Sequence, residues 1–422
     1  MKKVFIFILI IVAFVACSKD DNDSGNSIRK ATVKGAQLIY QNSVESRSGT
    51  RATTEEVQRF MTVDDKGNVN PIRFITEKGD TLDMEIWNVK NLNNTYLMLS
   101  GYFKFNGITI DQLLVNKNTE LIYAIPNYRF YFRMECPVFE DKNKNIYWGS
   151  IYSDDAMIYC FNVSNPDNIT IENYLPDDQD IFKYWVNKNG ICYYETSSGR
   201  NFKCPGGRIY NCRELLNEYD DPWNKIFCGT NGNFYIVYSK YGENLTKVFE
   251  IKIIDNNSLQ AMEVTSFPEY IYLGGEFCPN SIRNSCILSN GDNIIEFDET
   301  TNELRKLNIS IPSTYDYIGW GTASGNASTF INSESLWIYD ETKLYQLKLS
   351  DYSLNIIDLV SKGYSINSST ITCSINSPGL SFSGVRYSDG QNIVGTIDEE
   401  GNITVFEQTK TSNKITTLLR LN

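Results

Sequence analysis

Carboxylates, thiols, amines and aromatic rings must carry any chemistry this 422-residue chain performs, because it contains no histidine. The usual general base at neutral pH is therefore missing. Ser-His-Asp and Cys-His nucleophile systems are excluded, as are the zinc signatures that need an imidazole. Adjacent acids occur at Asp154-Asp155, Asp177-Asp178, Asp220-Asp221 and Glu399-Glu400. A glycoside hydrolase needs two carboxyl groups facing each other across a bond, but neighbours along a strand point to opposite faces. These pairs read as solvated turns. Asp141-x-Asn143-x-Asn145 opens like a calcium loop, but Ile146 and Tyr152 stand where that loop needs glycine and glutamate. A β-turn is the better reading, as it is for Asp64-Asp65-Lys66-Gly67-Asn68. Ser27-Ile28-Arg29-Lys30 has a Ser-x-x-Lys spacing with no Lys-Thr-Gly after it. No catalytic residue, metal ligand or cofactor is assigned.

Aromatic residues make up 13% of the chain, enough to build a ligand platform as well as a core. The richest glycine stretch, Gly319-Trp320-Gly321-Thr322-Ala323-Ser324-Gly325, follows Tyr315 and Tyr317. Ser324 breaks the dinucleotide-binding pattern. Trp320, Tyr315 and Tyr317 are the candidate ligand-binding residues, as a platform for a sugar ring or a peptide. The competing reading packs Trp320 between sheets.

Ten cysteines are present, with no Cys-x-x-Cys. Setting Cys17 aside leaves nine, an odd number that cannot all pair within one chain. Cys204-Pro205 to Cys212 and Cys278-Pro279 to Cys286 share one spacing, which two local disulfides would explain. Buried thiols acting as small apolar groups suit a core of this size better.

The strand pattern supplies the scaffold. Short runs of Ile, Val, Tyr, Phe and Trp alternate with Asn, Asp and Gly turns, as in Asn233-Phe234-Tyr235-Ile236-Val237-Tyr238 and Ser335-Leu336-Trp337-Ile338-Tyr339. Helical periodicity is absent outside the first residues, apart from one short helix expected over 53–61. Turn-then-strand anchors near Asn94, Asn145, Asn189, Asn231, Gly291, Glu334 and Gln391 recur about every 40–60 residues, the size of a propeller blade. The expected fold is all-β, a β-propeller with seven blades, with eight or six blades or stacked β-sandwiches as alternatives. Residues 34–87 offer a further three-strand meander, over 57–63, 69–76 and 81–87. The segment 414–421 is expected to complete it, closing the ring and removing both sheet edges. The resemblance to β-propellers is architectural; no repeat consensus is present.

The N-terminus addresses the chain. Lys2 and Lys3 precede thirteen uncharged, mostly apolar residues, 4–16. That run is too short to span a bilayer and fits a secretory signal. Phe14-Val15-Ala16-Cys17 resembles the lipobox of bacterial lipoproteins, with Phe14 where the family favours a branched aliphatic residue. The resemblance implies cleavage before Cys17 and lipid on it, and two or three acyl chains give stable anchoring. The acidic stretch after Cys17, with Asp20, Asp21 and Asp23, is similar to the export signal of surface lipoproteins in some Gram-negative bacteria. The implied location is the outer membrane, surface-exposed, with the periplasmic face as the alternative. The expected organisation is a signal over 1–16, an acidic tether over 17–30 and one propeller domain over 31–422.

Net charge is −12, and losing Lys2 and Lys3 with the signal makes it −14. An acidic surface repels phosphate backbones, so nucleic acid is not an expected partner. The leading functional reading is a lipid-anchored, monomeric binding protein whose ligand is a glycan or a protein. A carboxylate-dependent glycoside hydrolase or lyase is the alternative, and a scaffold subunit of an outer-membrane complex is a further one. The first expectation is direct: Cys17→Ser blocks processing and leaves an unlipidated precursor. Metabolic labelling with a fatty acid checks it, and label retained by the variant refutes it.

Overall fold

The computed structural model describes residues 27–47, 54–105, 108–125, 136–150, 157–175, 180–216, 225–240, 242–271, 278–289, 294–307, 309, 329–331, 334–340, 342–367, 370–373, 378–406 and 415–421. Eight four-stranded antiparallel sheets hold nearly all of the described strands. Blade 1 joins the C-terminal strand Ile415–Arg420 to Ala36–Arg47, Thr54–Asp64 and Val69–Pro71. Blades 2 to 8 are consecutive meanders within 86–124, 139–173, 181–211, 225–267, 278–307, 329–358 and 364–406.

Burial explains why the middle strands read as unbroken apolar runs. Phe234 and Ile236 pack with Tyr193 and Phe202 of blade 4, while Tyr235 and Val237 pack with Ile295 and Phe297 of blade 6. Successive side chains leave opposite faces of a strand, and both faces meet a neighbouring sheet. Leu336 and Ile338 likewise join blade 6, and Trp337 joins blade 8. Burying side chains of this size contributes about 1.5–3 kcal/mol each.

The seams run the full circle. Met98 and Leu114 of blade 2, Trp148 and Ile158 of blade 3, and Tyr184 and Tyr194 of blade 4 share one core. Blade 1 meets blade 2 through Ile39, Phe60, Ile86 and Leu99, and meets blade 8 through Tyr40, Ile415, Leu418 and Val394. Sheets in a closed ring with a core at every seam form a β-propeller. The first strand of each blade is innermost: Ile415–Arg420 lies beside Ile86–Asn91, and Phe139–Glu140 beside Ile181–Val186.

The expected closure is present. Leu38 pairs with Arg420, Tyr40 with Leu418 and Gln41 with Thr417. At this joint Lys117 of blade 2 is buried, and its Nζ donates to Asn91 Oδ1 at 3.3 Å and to the Leu421 carbonyl at 3.5 Å. Burial pushes its amine down to about 8.

Three features differ from the sequence reading. The blade count is eight, not seven. The anchors mark blades 2 to 8, whereas blade 1 takes its inner strand from the far end of the chain and so has no first turn to find. The helix expected over 53–61 is instead part of strand Thr54–Asp64, paired residue by residue with Ala36–Arg47. Long-range pairing there overrides the local helical propensity of Glu55, Glu56 and Gln58. Finally, Phe74–Thr76 and Thr81–Leu82 leave the meander and form a small sheet with Ile28–Ala31 against blades 1 and 2. Residues 17–26 lie outside the described residues, whereas Ile28 and Ala31 are fully buried.

Among the described residues Cys136, Cys160, Cys192, Cys204, Cys212 and Cys286 are buried and form no disulfide, so Cys204 and Cys212 are not bridged. Burial pushes the Cys160 thiol up to about 12, which leaves it unreactive.

Removing the closing strand uncovers the inner edge of Ala36–Arg47 and takes Ile415 and Leu418 out of the seam with blade 8. Truncation after Asn413 is therefore expected to lower the melting temperature sharply or to cause aggregation. A soluble truncated protein with an unchanged melting temperature rules this out.

Candidate binding face

Antiparallel meanders divide the connections between two ends of the ring. The turns from first to second and from third to fourth strand share one end, here the turn face. The turns from second to third strand and the links to the next blade share the other, here the connector face.

The turn face is built from capped turns. Asp64 Oδ1 accepts the backbone N–H groups of Lys66 and Asn68 at 2.9 and 2.8 Å, and Asp398 Oδ1 accepts those of Glu400 and Asn402 at 3.1 and 2.7 Å. Asn116, Asn162, Asp255, Asp298 and Asp351 cap the corresponding turns of blades 2, 3, 5, 6 and 7. In the tightest of these turns the fourth residue takes a left-handed φ, +80° at Gly67 and +82° at Gly401. Lys144 adopts +67° in the first turn of blade 3, the loop that resembles a calcium site. There Asp141 is already satisfied by the N–H groups of Asn143 and Asn145, the Asn145 amide and the Tyr147 hydroxyl. It is an Asx-turn, as the sequence favours.

Carboxylates also lock blade to blade at this end. Glu299 of blade 6 accepts from the Thr230 and Asn231 N–H groups of blade 5 at 2.7 and 3.1 Å. Glu399 of blade 8 accepts from Gln346 Nε2 of blade 7 at 2.6 Å and from the Gly379 N–H at 2.9 Å. The fully buried Glu296 holds Ser285, Arg283 and Arg305 of its own blade and Tyr352 of blade 7. Although burial opposes it, the hydrogen bonds from Tyr352, Ser285 and Arg305 hold its carboxyl below the usual range. Every resolved shift of a described carboxyl group is downward, so none of these groups is held protonated as a general acid requires. Glu399 of the adjacent pair Glu399-Glu400 is a lock; the other three acid pairs lie outside the described residues. Among the described residues no three His, Cys, Asp or Glu side chains converge as a metal site would.

The connector face differs. The innermost strands of blades 2 and 4 carry a bulge at their second residue. The register shifts between Ile86 and Asn88 against Gly101 and Ser100, and between Ile181 and Lys183 against Thr196 and Glu195. Each bulged residue is a large exposed aromatic, Trp87 at 51% and Phe182 at 37%. An innermost strand has one edge hydrogen-bonded outward and both faces against other blades. A side chain exposed there opens on the axis or its mouth. On the next strand of blade 2, Tyr102 follows Gly101 and is 54% exposed, and Ile108 stands exposed at the end of the same hairpin. Bulges re-aim side chains in this way.

Trp320, Tyr315 and Tyr317 lie outside the described residues, between strands Glu303–Leu307 and Thr329–Ile331, and Cys17 lies outside them as well. Sequence reasoning missed Trp87, Tyr102 and Phe182. A signal was present in Glu85-Ile86-Trp87-Asn88 and Asp180-Ile181-Phe182-Lys183, two acid-Ile-aromatic-polar starts at equivalent places.

No family model matches the chain. No curated protein matches it either. Among solved structures it is similar to a catalytically inactive variant of virginiamycin B lyase from Staphylococcus aureus bound to quinupristin, at 14% identity over 64% of this chain and 82% of that one, TM-score 0.36. It is also similar to the extracellular domain of a hybrid two-component system from B. thetaiotaomicron, at 13% identity over 88% and 57%, TM-score 0.38. A third likeness is to the dihydro-heme d1 dehydrogenase NirN, at 8% identity over 82% and 76%, TM-score 0.38. None transfers a residue or an activity, and the propeller rests on the chain's own sheets and seams. No described helix is long and apolar enough to cross a membrane.

The capped turns titrate. The Asn68 side-chain amide and turn N–H groups hold the Asp64 carboxyl below its usual 3.8, turn N–H groups do the same at Asp255 and Asp351, and at Asp398 burial, which raises it, is outweighed by the Asn402 amide and turn N–H groups. Folded values lie below unfolded ones, so the stabilisation is complete above the unfolded value and is lost as pH falls through the folded one. Melting temperature is expected to drop between about pH 4 and pH 2. Asp398→Asn keeps the acceptor but cannot protonate, so its acid slope should be shallower; identical slopes for variant and wild type would contradict this.

Proposed function

We propose that this protein is a lipid-anchored binding protein held at the outer membrane through Cys17, displayed outward, that engages a glycan or protein through the connector face of its propeller. The observation that carries the reading is the pair of bulged aromatics, Trp87 with Tyr102 beside it on blade 2 and Phe182 on blade 4. A large apolar ring left in water on a chain with room to bury it costs stability, so its exposure favours a partner that covers it. Rings with an apolar face suit the faces of sugars and the side chains of a peptide. Net charge of −12 favours neutral or cationic ligands over polyanions. The turn face offers less, because its carboxylates and turn amides already satisfy one another.

Screening against a glycan panel, with product release measured alongside, separates binding from turnover. Trp87→Ala is expected to weaken binding at least tenfold and to leave the melting temperature nearly unchanged, since the ring is half in water. Trp320→Ala, measured in parallel, asks whether the glycine-rich segment shares the site. Unchanged affinity in Trp87→Ala removes blade 2 from the proposal, and cleavage abolished by a single carboxylate substitution replaces binding with hydrolysis or elimination.

A further inference from the structure

One corner of the turn face has more donors than acceptors. Lys117 stands in the third-to-fourth turn of blade 2, where its N–H donates to the Thr95 carbonyl at 2.8 Å. Its side chain reaches the seam between the innermost strands of blades 1 and 2, Ile415–Arg420 and Ile86–Asn91, which lie side by side. An ammonium has three donors and no acceptor. Lys117 Nζ gives one to Asn91 Oδ1 at 3.3 Å and one to the Leu421 carbonyl at 3.5 Å, both long for such bonds. Among the described residues no other group accepts from this amine and no carboxylate pairs with it. Asn91 accepts through Oδ1, so Nδ2 of the same amide stands beside the amine, and among the described residues its N–H groups reach no acceptor. Acids in the vicinity are engaged elsewhere. Glu120 of the same turn accepts from the Lys34 N–H, and Glu140, which ends the inner strand of blade 3 as Asn91 ends that of blade 2, is held by Asn93 and Lys144.

We propose that this corner is an anion site, in which a small monovalent anion of the size of chloride sits between Lys117 Nζ and Asn91 Nδ2 and ties the closing strand to blade 2. Three observations carry this. Lys117 is 7% exposed, and a buried ammonium is costly unless an opposite charge or good hydrogen bonds offset it; two long bonds to neutral oxygens do so poorly. Burial lowers its amine to about 8, so it is still a cation at neutral pH. Both unengaged groups are donors, which suits an anion and gives a metal ion nothing to bind. Asn91 is half-buried at the end of an innermost strand, so the corner opens on the mouth of the axis and an ion can enter. One positive charge calls for one negative charge, and a chain of net charge −12 repels anything more highly charged. The site lies at the opposite end of the ring from Trp87 and Phe182 and stands independently of the glycan or protein reading.

Thermal melts of the full-length chain at constant ionic strength test this, with chloride replaced by gluconate, which is too bulky for the corner. At pH 7 chloride is expected to raise the melting temperature of the wild type by about 1–2 °C. The shift should fade as pH rises through the value near 8 at which the amine loses its proton. Lys117→Met fills the same space with an uncharged chain and is expected to lose the shift entirely. Asn91→Ala keeps the amine and should reduce the shift, which covers the case in which the methionine variant does not fold. In crystals soaked in bromide, an anomalous peak is expected within hydrogen-bonding reach of both nitrogens. Equal chloride shifts in wild type and variants, as a water at this corner or anions bound elsewhere would give, overturn the proposal. So does a bromide soak that leaves the corner without a peak.

Discussion

A ring of eight sheets has eight seams only if its first sheet meets its last. Here that condition falls on one strand pair, Ile415–Arg420 against Ala36–Arg47. The closing strand gives blade 1 its innermost member, and through Ile415 and Leu418 it packs the core shared with blade 8. Its far end reaches blade 2, where Lys117 is held by the Leu421 carbonyl. Each other blade is a local meander whose neighbours follow it in sequence. The energetic interdependence of the molecule is therefore concentrated at one joint, and the buried amine of Lys117 shows that the joint tolerates a costly group to bind its parts together.

The two ends of the ring have different chemistry for a topological reason. The third-to-fourth turns are short, and in seven of the eight an Asp or Asn at the head can reach N–H groups two to four residues on. Of the carboxylates that remain, Glu299 finds backbone donors on the adjacent blade and Glu399 finds the Gln346 side-chain amide there. That end is saturated with internal hydrogen bonds, which fixes blade orientation and leaves few unsatisfied groups for a ligand. At the other end bulges, not turns, set what is exposed, and Trp87 and Phe182 owe their position to one extra residue in each inner strand.

Much of the scaffold was legible because its signals are local. Middle strands buried on both faces must be apolar at every position, and Asn233-Phe234-Tyr235-Ile236-Val237 says so directly. The closing strand could be anticipated because 34–87 lacked one member. The irregular spacing of the anchors has a simple origin: position 291 falls between the second and third strands of its blade and Gln391 opens a third strand, whereas Asn145, Asn189 and Asn231 sit at first-to-second turns. The capping residues Asp64, Asn116, Asn162, Asp255, Asp298, Asp351 and Asp398 carry the truer repeat, with Cys204 opening the turn of blade 4. The strand Thr54–Asp64 was legible in part: 57–63 reads as a strand of the extra meander while 53–61 also reads as a short helix, and pairing with Ala36–Arg47 decides for the strand. The exposure of Trp87 was not legible, since whether an aromatic beside Ile86 is packed or released depends on a one-residue register shift against Ser100 and Gly101.

The closing strand has a consequence in time as well as in space. A ribosome releases Tyr40 hundreds of residues before its partner Leu418 exists. Until then blade 1 has no inner strand, and the first and last seams are open however well blades 2 to 7 have formed. The completed fold is thus a property of the whole chain and cannot accumulate as synthesis proceeds. With contacts this distant in sequence, closure is expected to be the slow step.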